Sequence, residues 1–240
     1  YWFEKTRHVF PNHYVERVDN RTMKAFKAQR IDIEWVVRGH LYGSAWREYK
    51  MGRRVISGVK LPDGLRLAER LPEPILTPTT KAESGHDVET TKGQAISNGL
   101  VSAEEWKTLE EATFKLFEFY RGETLSKGII LPDFKLEYGR LGVGLIQIDE
   151  PPTHDSARFW AKKYYKVGEP QEGHALDKEF LREYLRRKGF TGQGKPPTLP
   201  PLVVEEVSKR CVGAYKVLTG KGDIEDLDLK TVDQLVAELN

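Results

Sequence analysis

The sequence predicts an α+β fold, and three observations carry that expectation. Apolar residues alternate through Gly128-Ile-Ile-Leu-Pro-Asp-Phe-Lys-Leu-Glu-Tyr-Gly139, which reads as one strand closed by a glycine at each end. Gly139, Gly142 and Gly144 then turn the chain into a second strand, Leu145 to Glu150, so that the two form an antiparallel hairpin. Helices flank this pair in sequence. A capping box at Ser102-Ala-Glu-Glu105 opens one that runs to Tyr120, and 177–188 and 203–218 carry helical patterns, separated by the Gly/Pro-rich connection 189–201.

The other elements follow in order. Residues 1–8 read as the end of a helix that opens on Tyr-Trp-Phe without an initiating Met, so a preceding segment is expected. Residues 13–19 and 23–38 alternate like strands; in the second, Ile31, Ile33, Trp35 and Val37 face one way, with Glu34 and Arg38 together on the other side. Gly39 to Ser44 turns the chain, with Ser44 as N-cap of a short helix, 45–50. The amides and hydroxyl of such a turn suit an anion, to which Arg38 can add a bidentate contact. Leu61-Pro-Asp-Gly64 and scattered glycines make 51–72 a hairpin or an ordered loop. Three prolines keep 71–87 extended, and this rigid loop concentrates Thr79, Thr80, Lys81, Glu83, His86 and Asp87. In the helix from Ser102, Trp106, Leu109, Phe117 and Tyr120 form the apolar side, and Gly122 ends it. The loop 149–160 leaves Asp155, Ser156 and Arg158 free to reach a ligand.

Bulk properties narrow the class. A chain of 240 residues can bury a large core in one domain or two lobes. Its 38 Lys plus Arg against 36 Asp plus Glu, net +2, give no general attraction to nucleic acid or an acidic membrane, so any anion site is local. One cysteine, Cys211, excludes an internal disulfide and reads as core packing within a helix. With no signal-like start and no long apolar run, a soluble cytoplasmic protein is expected. The six His show no paired ligand spacing, so no structural zinc site is expected.

The chemistry concentrates on the 128–139 strand. Asp133, Lys135 and Glu137 share one face with Ile129 and Leu131, while Ile130, Phe134, Leu136 and Tyr138 share the other. A Lys between two acids suits a metal-bound polyphosphate, carboxylates toward Mg²⁺ and ammonium toward phosphate oxygen. A surface strand with a Lys–Glu pair would show the same row. Asp149, at the end of the second strand, lies near it.

Five stretches in order resemble the SAICAR synthetase family, especially its yeast-like branch: Glu34-Trp-Val-Val-Arg-Gly-His-Leu-Tyr-Gly-Ser-Ala-Trp46, Thr77-Pro-Thr-Thr-Lys-Ala-Glu-Ser-Gly-His-Asp87, Asp133-Phe-Lys-Leu-Glu-Tyr-Gly139, the segment from Asp149-Glu to Asp155-Ser-Ala-Arg-Phe-Trp160, and Asp177-Lys-Glu-Phe-Leu-Arg182. The resemblance implies a two-lobed α+β scaffold similar to ATP-grasp enzymes and kinases. It places the remainder of an N-terminal lobe at 1–78 and a catalytic lobe with C-terminal helices at 79–240. It implies an ATP- and Mg²⁺-dependent ligase that joins L-aspartate to the carboxylate of CAIR, giving SAICAR, ADP and phosphate in purine biosynthesis.

Carried over residue by residue, Glu137 and Asp149 look like the Mg²⁺–nucleotide carboxylates and Lys81 like the nucleotide-phosphate lysine. Arg38, Ser44, Asp87, Lys135, Ser156 and Arg158 look like the CAIR-binding group, with Lys178 and Arg182 as further anion contacts. Lys135, Asp87 and Arg38 are the candidate catalytic residues, Asp87 by type as proton acceptor for the amine. The motif strand has Glu-Tyr-Gly where Glu-Phe-Gly is commoner, and Pro152-Thr-His154 stands where Leu-Thr-Pro is usual. The family's glycine-rich, lysine-containing loop over the ATP phosphates has no counterpart in these residues. A related small-molecule kinase, which needs no aspartate, and a truncated non-catalytic nucleotide-binding remnant stay open on these residues.

Overall fold

A computed structural model describes residues 1–81 and 88–239. The strands are β1 (Tyr14–Arg17), β2 (Met23–Ala25), β3 (Gln29–Arg30), β4 (Ile33–His40), β5 (Val55–Ile56), β6 (Val59–Lys60), β7 (Arg70–Leu76), β8 (Thr79–Thr80), β9 (Val88–Glu89), β10 (Ile129–Ile130), β11 (Asp133–Leu141), β12 (Gly144–Ile148) and β13 (Trp160–Ala161). The helices are α1 (Trp2–Thr6), α2 (Gly43–Lys50), α3 (Lys92–Ser97), α4 (Ala103–Leu125), α5 (Glu179–Arg187), α6 (Pro201–Leu218) and α7 (Val232–Leu239). The main sheet runs β12-β11-β4-β8-β9, with β3 also on β11 and β7 also on β4. All of its ladders are antiparallel, which makes the fold mixed α+β. The β4–β11 ladder joins residues on both sides of position 78.

Alternation explains why β4 and β11 lie at the centre. Trp35 and Val37 point inward from β4, Phe134, Leu136 and Tyr138 point inward from β11, and α4 covers them with Trp106, Leu109, Leu116, Phe117 and Tyr120. Trp35 packs against Trp106 at 4.7 Å between ring centroids and meets Tyr138 edge-on at 5.7 Å. The Tyr138 hydroxyl is satisfied inside this core by Thr113 Oγ1 at 2.8 Å, which accommodates Tyr in the Glu-Tyr-Gly motif. The outward face of the same strands is left for the charged row.

Several local expectations are corrected. The 23–38 stretch is three strands. Between the β3 and β4 ladders the chain advances five positions, Arg30 to Trp35, against three on β11, Gly139 to Leu136, so residues 31–34 bulge. The 128–139 strand breaks at Pro132, which has no N–H and whose carbonyl instead accepts from Gly39 N–H at 2.7 Å. Gly139 lies inside β11; the turn is Gly142-Val143, with Gly142 at φ +58 as a type II′ hairpin requires. Gly122 sits within α4 and does not end it, because a single helical glycine costs only about 1 kcal/mol against the core contacts on either side. The capping box of Ser102 and Glu105 forms as expected. Ser44 is not an N-cap: α2 starts at Gly43 after Tyr42, and the Ser44 hydroxyl accepts from Arg38 instead. Cys211 is free and half-buried at the edge of the core. Glu83, His86 and Asp87 lie outside the described residues. Among those described, no helix is long and apolar enough to cross a membrane.

Candidate active site

The outer face of β11 carries Asp133, Lys135 and Glu137, and the register of the neighbouring strands sets what each one meets. Asp133 stands opposite Arg38 of β4, and Glu137 stands opposite Ile148 of β12, one residue before Asp149. Two clusters result on one strand.

The first is centred on Lys135. Its Nζ donates to Glu34 Oε1 at 3.0 Å and Glu137 Oε1 at 3.2 Å, and lies 3.6 Å from Asp149 Oδ2. Burial opposes the charge on Lys135, but the hydrogen bonds and charges of Glu34 and Glu137 outweigh it and raise its pKa. Lys81 Nζ donates to the same Glu137 oxygen at 2.6 Å. Glu137 is only 2% exposed, so a buried carboxylate is held between two ammonium groups. Asp149 adopts φ +60, an unusual left-handed backbone for a residue other than glycine, and keeps its side chain partly in solvent.

The second cluster is a guanidinium pair on Asp133. Arg158 Nη1 donates to both Asp133 oxygens at 2.8 Å, and Arg38 Nη1 lies 3.6 Å from Asp133 Oδ2. Arg38 also donates from Nε to Thr77 Oγ1 at 2.9 Å and from Nη2 to Ser44 Oγ at 3.1 Å. Burial lowers the Arg38 pKa, Asp133 opposes that, and Arg158 reinforces it; for Arg158, burial is outweighed by Asp133 and Glu179, and its pKa is raised. Beside the pair, Lys178 Nζ lies 3.0 Å from Asp155 Oδ1 and Arg182 Nη1 lies 2.6 Å from Glu179 Oε1. These groups, Ser156 and Lys135 line a cavity of about 110 Å³. Ser156 is committed to its own loop, donating to the Pro151 carbonyl at 2.9 Å and accepting from Thr153 N–H at 3.0 Å.

Thus Lys81, Lys135, Glu137 and Asp149 come together, as do Arg38, Ser44 and Arg158. Lys135 belongs spatially with the carboxylates, although its small cavity also reaches Arg158. The sequence pattern left Glu34, Thr77 and Glu179 off the site and read Asp133 as an acid toward Mg²⁺, whereas the structure pairs it with Arg158 and Arg38. Glu34 was legible, since strand alternation puts it on the same side as Arg38; Thr77 and Glu179 arrive through tertiary packing alone.

Gly43 fixes the wall of the second cluster. It has φ +59, and a Cβ there would stand 2.6 Å from Arg158 Nη2. Gly43→Ala is therefore expected to cost about 1–2 kcal/mol from the backbone alone and to push Arg158 off Asp133. Chemical denaturation measures it. The cost should shrink in an Arg158→Ala background; an unchanged cost would rule out the clash.

Glu137 and Asp149 supply the hard oxygen donors that Mg²⁺ takes. Among the described residues no three His, Cys, Asp or Glu side chains converge on a metal position. Two carboxylates and two lysines beside a guanidinium pair place the chain in the class of proteins with a charged centre suited to anionic ligands.

Comparison with known proteins gives that class its family. The SAICAR synthetase family profile matches residues 1–198. The phosphoribosylaminoimidazole-succinocarboxamide synthase of Bacteroides thetaiotaomicron is 38% identical over 232 residues, covering 94% of this chain and 73% of that protein. The enzyme of the same name from Thermodesulfovibrio yellowstonii is 34% identical, covering 91% and 78%. Among solved structures, SAICAR synthase from Saccharomyces cerevisiae complexed with SAICAR superposes with a TM-score of 0.79 at 31% identity, over 91% of this chain and 78% of that one. A SAICAR synthetase in complex with ADP superposes with a TM-score of 0.66 at 25% identity, over 91% and 76%. The chain belongs to the SAICAR synthetase family, ligases of purine biosynthesis.

Proposed function

We propose that this chain joins L-aspartate to the carboxylate of CAIR, with ATP converted to ADP and phosphate, through an acyl phosphate. The observation that carries this reading is the placement of two different anion centres on one strand, Asp133 with its arginines and Glu137 with its lysines, four residues apart. A carboxylate is a poor electrophile, so its oxygen first attacks the γ-phosphorus of ATP, with ADP leaving. The aspartate nitrogen then attacks the acyl carbon and phosphate leaves.

Each step needs alignment and charge neutralisation more than a covalent nucleophile. Arg38, Ser44 and Arg158 would bind and orient CAIR. Lys81 and Lys135 would face the transferring phosphoryl oxygens, exchanging carboxylate partners for phosphate. Glu137 and Asp149 would hold Mg²⁺, which when bound offsets the negative charge of the nucleotide phosphates. Asp87 remains the candidate acceptor for the amine proton. A lobe boundary near residue 78 and a cytoplasmic location belong to the same reading.

A coupled ADP-release assay with CAIR present tests it: release should depend strictly on added aspartate. Release without aspartate would mark a kinase, and CAIR binding without any turnover a non-catalytic protein. Arg38→Lys should weaken CAIR by about 1–3 kcal/mol, because an ammonium cannot reach Thr77, Ser44 and Asp133 together. Affinity for ATP should change far less; an equal loss for ATP, measured by titration, would place Arg38 on the nucleotide side or in the fold.

A further inference from the structure

Two buried carboxylates near the start of α5, Asp177 and Glu179, stand outside the roles described so far. Both belong to the Asp177-Lys-Glu-Phe-Leu-Arg182 stretch, and both are under 10% exposed. Asp177 Oδ2 accepts from Phe159 N–H at 2.7 Å, and Oδ1 accepts from Glu179 N–H at 2.8 Å. The segments on either side are clasped by two more bonds, Leu176 N–H to the Phe159 carbonyl at 2.8 Å and Lys178 N–H to the His154 carbonyl at 3.0 Å. One carboxylate thus ties the residue after Arg158 to the first residue of α5.

Glu179 continues the connection through side chains. Its Oε1 lies 2.6 Å from Arg182 Nη1 and 3.8 Å from Arg158 Nη2, and its Oε2 lies 3.9 Å from Arg186 Nη1. Arg158 is therefore held on one side by Asp133 and approached on the other by Glu179. Three guanidinium groups around a single anion would repel one another without it. Arg182 and Arg186 are about half-exposed and could satisfy their charge in water, so their convergence on a buried glutamate has an ordering effect.

We propose that Asp177 and Glu179 are positioning residues for substrate binding. Asp177 locks the backbone of both segments, and Glu179 sets the spacing of Arg158 and Arg182, so that both guanidinium groups are ordered before CAIR arrives. The proposal rests on the reading above in which Arg158 serves CAIR, and extends it to Arg182, which the family resemblance offers as a further anion contact. Burial pushes the Asp177 carboxyl up to about 7 against the pull of its two N–H bonds and Arg158, so its site is dry as well as tied.

The test compares Asp177→Asn and Glu179→Gln with the unaltered protein by calorimetric titration with CAIR and with ATP, alongside thermal unfolding. Asn can accept only one of the two N–H bonds, and Gln keeps the shape of Glu179 without its charge. Each variant should weaken CAIR by about tenfold or more while ATP stays within about twofold. Glu183→Gln, on the same helix and bonded to Arg186 and Arg187, should leave both affinities unchanged. If Asp177→Asn does not fold, Glu179→Gln decides. A lowered melting temperature in Glu179→Gln with unchanged CAIR affinity would make the pair merely structural and overturn the proposal, as would equal losses for CAIR and ATP. An unaltered protein that binds no CAIR overturns the functional reading, and this proposal with it; CAIR binding retained in both variants removes the positioning role alone.

Discussion

Glu137→Gln is expected to lower turnover by about 100-fold or more while leaving the chain folded. The side chain is buried, its shape is kept, and only the charge that faces Lys81 and Lys135 is removed. Two ammonium groups would then meet a neutral amide and, in the proposed reading, Mg²⁺ would lose one of the two carboxylates that would hold it. Both lysines are about 30% exposed, so water can take over part of their solvation and folding should survive. Steady-state kinetics at saturating Mg²⁺, with circular dichroism for the fold, measure both sides of this expectation. Near-normal turnover would remove Glu137 from the site. Asp149→Asn should act in the same direction, and the double variant should lose less than the sum of the two if they hold one ion. Strict additivity would count against a shared metal.

The largest stability effect is expected at Arg210, far from the reacting groups. It lies in α6 and is 1% exposed, with Nη2 3.3 Å from Glu206 Oε1. It donates to the carbonyls of Ala175 at 2.6 Å, Gly173 at 3.1 Å and Lys230, and its guanidinium lies over the Phe180 ring at 3.7 Å. Burial pulls its pKa down to about 10, opposed by Glu206 and Asp177, and it stays charged at neutral pH. Arg210→Met removes the cation, leaves the buried Glu206 with only Lys209 at 3.8 Å and the Lys230 N–H at 3.1 Å, and leaves three carbonyls without this donor. The expected loss is about 3–5 kcal/mol, read as a shifted midpoint in chemical denaturation. Arg210→Met combined with Glu206→Gln should recover part of it, because the buried charge that has lost its nearest cation is gone. Lys209→Met, at the more exposed neighbour, should cost about 0–1 kcal/mol. Similar losses at 209 and 210 would refute the account.

The sequence by itself determined the α+β class, the Ser102 capping box, the inward face of β4 and the Asp133, Lys135, Glu137 row, all of which follow from periods of 2 and 3.6 residues or from local hydrogen bonds. It also supplied Lys81, Arg38 and Arg158 as candidate site residues, through stretches that resemble one family. Pairing register was decided elsewhere. Whether Asp149 reaches Lys135 depends on a two-residue turn at Gly142, and whether Arg38 meets Asp133 depends on a bulge at 31–34 that no alternation pattern marks. Helix α7 and the helical continuation past Gly122 were not legible, since burial against the rest of the chain outweighs weak local signals. Arg210 shows the limit most clearly. In sequence it is one more cation on a helix beside Lys209, and only the convergence of the Gly173, Ala175 and Lys230 carbonyls with Glu206 makes a buried charge tolerable there, because those acceptors come from separate parts of the chain and replace the water it gives up.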